Sequence, residues 1–435
     1  MDYGGLLSKY DFAELRLERS ANDSISIKDG EVRQSAGSST GMSVRVLVGG
    51  SWGFASCSGE GDPEELLKRA ERLAALGKGR ISVGPGRPLK GGRKDRIEPY
   101  DPEMRVKGLL EASARMKGGR ITSRVVSCTD SGSATEYYNS QGSHVVQETG
   151  YSYLSCACVA KEGSIIQRGA QRAWSRSGFG KMRIDEAADC AREKALRLLG
   201  AAAPPRGRFT AVFDPEMTGV FSHEAIGHAC EADAVADRES ILAGRLGSAI
   251  GNELVTITDD PLADDFGRYH YDDEGVEARA VTLVEKGALA GFLNSRETAH
   301  ALRQECNGHA RAEDYGEVPV VRMSNTYFQR GKSKKDEVFD VRSGVYLKGM
   351  KGGSVDIFSG GFMFKAEEAY EITNGATGKL MRDVTITGNI LQTMLDVECV
   401  GDDFGTSPGM CGKSGQSVPV SDGGPHIRVK NVALG

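Results

Sequence analysis

The 435-residue chain carries 55 Lys and Arg against 60 Asp and Glu, a formal net charge of −5, with 39 % hydrophobic and 26 % charged residues. Such a balance buries a core and excludes disorder by composition, and a prior of roughly 150 residues per domain leaves room for about two or three units. A pI near 5.9 argues against a broad phosphate-binding surface, and no apolar run approaches the roughly 18 residues that a membrane span requires.

Strand signals come first. Ser24 to Lys28, then Asp29-Gly30, then Glu31 to Arg33 reads as a hairpin, because the period is two and Asp-Gly accepts the positive φ of a type I′ turn. Met42, Val44, Val46 and Val48 repeat that period in a further strand. Asp62-Pro63-Glu64 opens a helix with Leu66, Leu67, Ala70, Leu73 and Ala74 on one face and Gly77 as its stop. Asp101-Pro102-Glu103 opens a second, which ends near Gly118. From Ile121 to Trp174 a run of strands turns near Ser140-Gln141-Gly142 and Lys161-Glu162-Gly163, and a helix over Ile184 to Leu199 follows. AAAPPRGR, Ala201 to Arg208, is the linker candidate. Beyond it lie glycine-rich hairpins, around Lys286-Gly287 and Asn374-Gly375, that suggest a curved, mostly antiparallel sheet. The expected fold class is α+β: an N-terminal mixed α/β domain over 1–205, then a β-rich, partly barrel-like domain over 206–435 that carries the helix described next.

Phe209 to Asp233, FTAVFDPEMTGVFSHEAIGHACEAD, reads as a strand followed by a helix opened by Asp214-Pro215-Glu216. On that helix lies His223-Glu224-Ala225-Ile226-Gly227-His228. Two imidazoles beside a glutamate are the parts of a hydrolytic zinc site: nitrogens hold the ion, and the carboxylate takes a proton from the water it activates. The familiar peptidase motif spaces its histidines four apart, whereas these are five apart. In a regular α-helix that spacing turns them about 140° away from each other, so sharing one ion requires a π-type turn. Gly227, with no Cβ, is where the distortion should be easiest. The plainer alternative is a pair of unrelated histidines, one packed and one exposed. A third ligand is needed, and spacing alone leaves Glu231, three residues after His228, and Cys411, in the glycine-flanked stretch PGMCGKSGQ that reads as a loop, both open. Cys230 and Cys399 read as packed thiols, as do Cys156 and Cys158 on one strand face.

Taken together, HEAIGH with Glu231 and Asp233, Asp272-Asp273-Glu274-Gly275, Asn307-Gly308-His309-Ala310-Arg311, Arg322 to Tyr327 (RMSNTY) and PGMCGKSGQ resemble, in order, the motifs of the TldD/PmbA family of metallopeptidases, also called modulators of DNA gyrase. The resemblance spans nearly the whole chain, is strongest from about 209 to 425, and is to the TldD-type catalytic subunit that keeps the metal motif; the N-terminal region is short and divergent. It implies zinc held by His223, His228 and Cys411, with Glu224 as catalytic carboxylate and Glu231 in support. It also implies a cytoplasmic protease of unfolded or flexible peptides, paired with a PmbA/TldE-type paralogue or with itself. Nine scattered cysteines and an opening, Met1-Asp2-Tyr3-Gly4-Gly5, without a signal-peptide plan fit the same compartment. The acidic charge fits a direct nucleic-acid role poorly. A peptide-binding or chaperone-like subunit with a structural metal and a nucleic-acid-associated regulator are the competing classes. For substrate, the Gly352 to Phe364 stretch reads either as an edge that accepts an extended peptide or as a strand pair joined by a tight Gly-Gly turn.

Overall fold

Asp29 and Gly30, at φ 53° and 101°, form the tip of a hairpin far longer than its alternating residues indicate. The computed structural model describes residues 2–84 and 86–435. Strand Phe12–Lys28 pairs along its length with Glu31–Val48, a single strand that absorbs the separate one expected at Met42 to Val48. Its first half, Glu31 to Ser38, is exposed throughout. With neither face buried there, alternation is not required, and the small residues Ser35 to Thr40 hide the continuity. Ser51–Ser58, Glu31–Val48, Phe12–Lys28, Ile121–Asn139 and His144–Glu162 follow in spatial order. The far edge of His144–Glu162 is shared by Lys90–Lys94 at one end and Ile165–Ser175 at the other.

Helices Pro63–Ala74, Pro102–Arg115 and Ile184–Leu199 cover this sheet; the first buries Leu66, Leu67, Ala70 and Ala74 as expected, whereas Leu73, read on the same face, is exposed. Asp62 and Asp101 cap their helices by accepting the Glu64 and Met104 amides. Such a cap is worth about 1 kcal/mol.

In the second half, Gly207–Phe213, Ser343–Asp356, Gly361–Thr373, Thr385–Asn389 and Ile427–Leu434 close a five-stranded barrel. All its pairings are antiparallel except Gly207–Phe213 with Ser343–Asp356. The chain is thus α+β with a β-rich, barrel-containing C-terminal region, as its pattern indicated. The Gly352 to Phe364 stretch is a strand pair, but its turn is 357–360, with Gly360 at φ 77°; Gly352 lies at a bulge. Beside the barrel lies a six-stranded sheet whose edge is the hairpin of Gln416–Gly424 and Gly405–Lys413. Between barrel and sheet runs Pro215–Phe221, held by Asp214, whose Oδ1 accepts both Met217 N at 2.8 Å and Gly349 N at 3.1 Å. One carboxylate therefore starts the helix and ties it to a barrel strand.

Candidate metal centre

After Phe221 the helix changes pitch. Residues Ser222–Gly227 form a π-helix, and His228–Cys230 tightens into a 3-10 turn. The widened turn is the distortion that the five-residue histidine spacing requires. It brings the two rings to 5.2 Å between centroids, nearly perpendicular at 87°. Gly227 keeps ordinary helical angles, φ −54° and ψ −57°, so conformational freedom is not why glycine stands there. Space is the reason: a Cβ would come 1.9 Å from Met323 Sδ.

One donor atom each from His223, His228 and Cys411 lies within 4.8 Å of the others. Cys411 Sγ is 3.6 Å from His228 Nε2. Cys411 sits in strand Gly405–Lys413, not in the expected loop; the tight turn is Ser414-Gly415, both at positive φ. Glycines at 405, 409, 412 and 415 suggested a loop, yet hairpin pairing with Gln416–Gly424 runs unbroken from Gly405 to Lys413. A rigid strand fixes a thiol more tightly than a mobile loop would.

The electrostatics converge. Burial opposes ionisation of Cys411, but the adjacent His223 and His228 imidazoles bring its thiol down to about 4. Burial likewise opposes the charged form of His223 and of His228; the Cys411 sulfur outweighs it for the first, and Glu231 together with Cys411 for the second, so both are raised. Thiolate and imidazoles form a compact donor set of the borderline-soft kind that suits zinc. His223 Nδ1 is buried and has no hydrogen-bond partner, an orphan that a bound ligand would account for. On both counts the residues fit a divalent metal.

Glu224 sits beside this cluster, with its side chain 35 % exposed and Oε2 4.0 Å from His228 Nε2. Glu231 is buried, and its Oε2 accepts from His228 Nδ1 at 3.1 Å and from Lys413 Nζ at 3.1 Å. Lys413 also reaches Asp233 at 2.6 Å and the Val321 carbonyl at 3.0 Å. Spacing could have found this lysine, since it lies two residues beyond Cys411 on a strand and therefore shares its face. Asp422 is half-buried, its enclosed Oδ1 has no partner, and desolvation lifts its carboxyl to about 7 against the pull of His223. No local pattern marked it.

The remaining motifs are supports. Arg322 is fully buried and donates to the Cys411 carbonyl, which anchors the thiol's strand, while Met323 fills the notch at Gly227. Asp259 accepts from Ser324, Thr326 and His309, so His309 is a buried structural partner. Asp272 to Gly275 lies elsewhere: Glu274 pairs with Arg45, which also holds Glu14, and Asp273 pairs with Arg16, so this motif docks the second half onto the first sheet. Cys156, Cys158, Cys230 and Cys399 are packed thiols.

Three family models match the chain: the PmbA/TldA metallopeptidase domain 1 over residues 13–76, the central domain over 95–199 and the C-terminal domain over 206–435. A metalloprotease of Methanothermobacter thermautotrophicus is 41 % identical across 98 % of this chain and 96 % of that one. A zinc metalloprotease TldD homolog of Saccharolobus solfataricus is 30 % identical across 98 % and 96 %. The crystal structure of TldE from Thermococcus kodakarensis superposes with a TM-score of 0.79 at 20 % identity, covering 99 % of this chain and 98 % of that one, a likeness of fold. Matched end to end and over every segment that carries its motifs, the chain belongs to the TldD/PmbA family of metallopeptidases.

Proposed function

We propose that the chain is the catalytic, TldD-type subunit of a zinc peptidase that hydrolyses unfolded or flexible peptides. The observation that carries this is the approach of His223, His228 and Cys411 donors to within 4.8 Å, made possible by the π turn. In this reading those three side chains hold the ion, displacing the protons that the imidazoles would otherwise keep. Bound there, zinc supplies Lewis acidity that polarises a scissile carbonyl and lets water ionise near neutral pH.

The chain's own residues do the rest. Glu224, partly open to solvent, takes a proton from the attacking water and returns one to the departing amine. Glu231 accepts from His228 Nδ1 and so fixes the ring's tautomer and direction, while Lys413 neutralises that buried carboxylate. Residues 1–205 and 206–435 act as two units, with the metal residues all in the second. The partner is a PmbA/TldE-type paralogue or a second copy, and no direct contact with nucleic acid is required. A cytoplasmic setting agrees with nine unpaired cysteines, and no helix among the described residues is long and apolar enough to cross a membrane. Zinc analysis together with digestion of an unstructured peptide, with and without chelator, tests the whole reading. It expects near-stoichiometric zinc and chelator-sensitive cleavage, by this chain alone or with its paralogue. Zinc-loaded protein that cleaves nothing in either state would leave only a structural metal.

A further inference from the structure

Between the first sheet and the loops of the second half lies a cavity of about 370 Å³. One wall is the face of the long strands that carries Ser20, Ser131, Ser133 and Thr149. Arg176, Arg268 and Arg311 also line it, and Met410, the neighbour of Cys411, borders the same space.

Two of these guanidiniums have an unusual environment. Arg176 gives Nε to the Asp265 carbonyl at 3.0 Å and Nη2 to the carbonyls of Phe266 and Arg268, while its Nη1 is buried without a partner. Arg311 is buried, stacks 4.8 Å over Tyr269, and gives its two Nη groups to the carbonyls of Met323 and Pro419 at 2.7 and 2.9 Å. Among the described residues neither pairs with a carboxylate. Burial accordingly pushes Arg176 down to about 10 and lowers Arg311 as well. A desolvated cation held only by carbonyls is unfavourable until an anion joins it.

The cavity also has acidic residues, and most of their oxygens already have partners. Asp272 accepts the amides of Glu274, Val276 and Ala310; Asp273 pairs with Arg16 and accepts Ala312 N; Glu313 and Asp314 each use one oxygen, accepting Ser417 N and Gly316 N. Burial lifts Glu18 to about 7, so it is largely uncharged in mildly acidic solution. These acids still disfavour a dianion, and a single negative charge in a planar group is what the guanidinium fork matches best. The serine and threonine hydroxyls of the strand wall can donate to or accept from a main chain of any sequence.

We propose that this cavity receives a carboxylate of the peptide substrate, terminal or on an acidic side chain, at Arg176 and Arg311, with the adjoining main chain laid along the serine and threonine wall. The proposal rests on the peptidase reading above. Its test is calorimetric binding to a full-length Glu224→Gln chain of three peptides: one with a free C-terminus, the same peptide amidated, and the amidated peptide ending in glutamate. Amidation should weaken binding about tenfold or more, as expected for loss of a charge-assisted contact. Restored binding by the glutamate peptide shows that a side-chain carboxylate serves as well as the terminus; no restoration confines the site to the terminus. Arg176→Gln should bring the acid peptide down to the amide's affinity and leave the amide unchanged, with Arg176→Lys in between. Equal binding of all three peptides by the parent chain, which needs no arginine variant, overturns the proposal, as does an Arg176→Gln chain of unchanged melting temperature that weakens acid and amide peptides alike. Binding is read whether or not wild-type chain cleaves, so missing turnover counts against the peptidase reading alone.

Discussion

Substituting Gly227 by alanine tests how the metal centre is built. The added methyl would lie 1.9 Å from Met323 Sδ, 3.1 Å from Cγ and 3.3 Å from Cε. Met323 is fully buried and belongs to the main core cluster, so it cannot swing clear without moving other packed side chains. Overpacking of this kind costs about 1–3 kcal/mol. If the helix yields instead, the π turn opens and the donor cluster widens beyond 4.8 Å; every ~1.4 kcal/mol of that strain felt in the bound state lowers zinc affinity about tenfold. Urea unfolding of metal-stripped protein measures the first effect, and competition with a chromophoric chelator measures the second. Met323→Ala alone leaves a cavity and should destabilise by about 2–5 kcal/mol. Added to that background, Gly227→Ala should be neutral or stabilising, a coupling of about 1 kcal/mol or more. If the two substitutions are additive, or if Gly227→Ala matches wild type in both stability and zinc affinity, the steric account fails.

Glu224→Gln should retain zinc and lose peptide cleavage by a factor of about 100 or more; unchanged turnover would refute its role as the base. Cys411→Ser should lose most bound zinc, because a hydroxyl is a far weaker ligand than a thiolate already held near 4; full occupancy measured by elemental analysis would remove Cys411 from the ligand set. Glu216 gives a pH test. Burial, reinforced by Glu367, Asp214 and Asp422, raises its carboxyl from 4.5 to about 8. A carboxyl raised on folding contributes stability that is complete below the unfolded value near 4.5 and is lost as pH climbs through about 8. Glu216→Gln stays neutral throughout, so its melting temperature should equal wild type near pH 4 and increasingly exceed it up to pH 9. A constant difference across that range would contradict the burial argument.

Much of the architecture is written locally. Asp-Pro-Glu at 62, 101 and 214 starts helices because capping and the proline φ act within four residues, and Asn374-Gly375 and Lys286-Gly287 turn hairpins because both residues accept positive φ. The histidine spacing even required its own π turn, since two rings five residues apart can converge only if the helix widens there. Strand length was less legible: Glu31–Val48 reads as two pieces because an exposed ribbon has no buried face to impose a period.

What the sequence determined by itself is therefore the inventory: elements, caps, turns, and a His-Glu-x-x-x-His helix that had to widen if its two rings were to meet. Tertiary structure decided the company that helix keeps. Cys411 reaches it from a strand edge 183 residues beyond His228, Lys413 neutralises Glu231, and Met323 makes Gly227 necessary for space and not for its φ. Asp272 to Gly275, which has the look of a site motif, serves instead as a dock for the first sheet. Local rules act over one turn of chain, whereas these contacts depend on how a barrel and a sheet close around one helix, and periodicity carries no record of that.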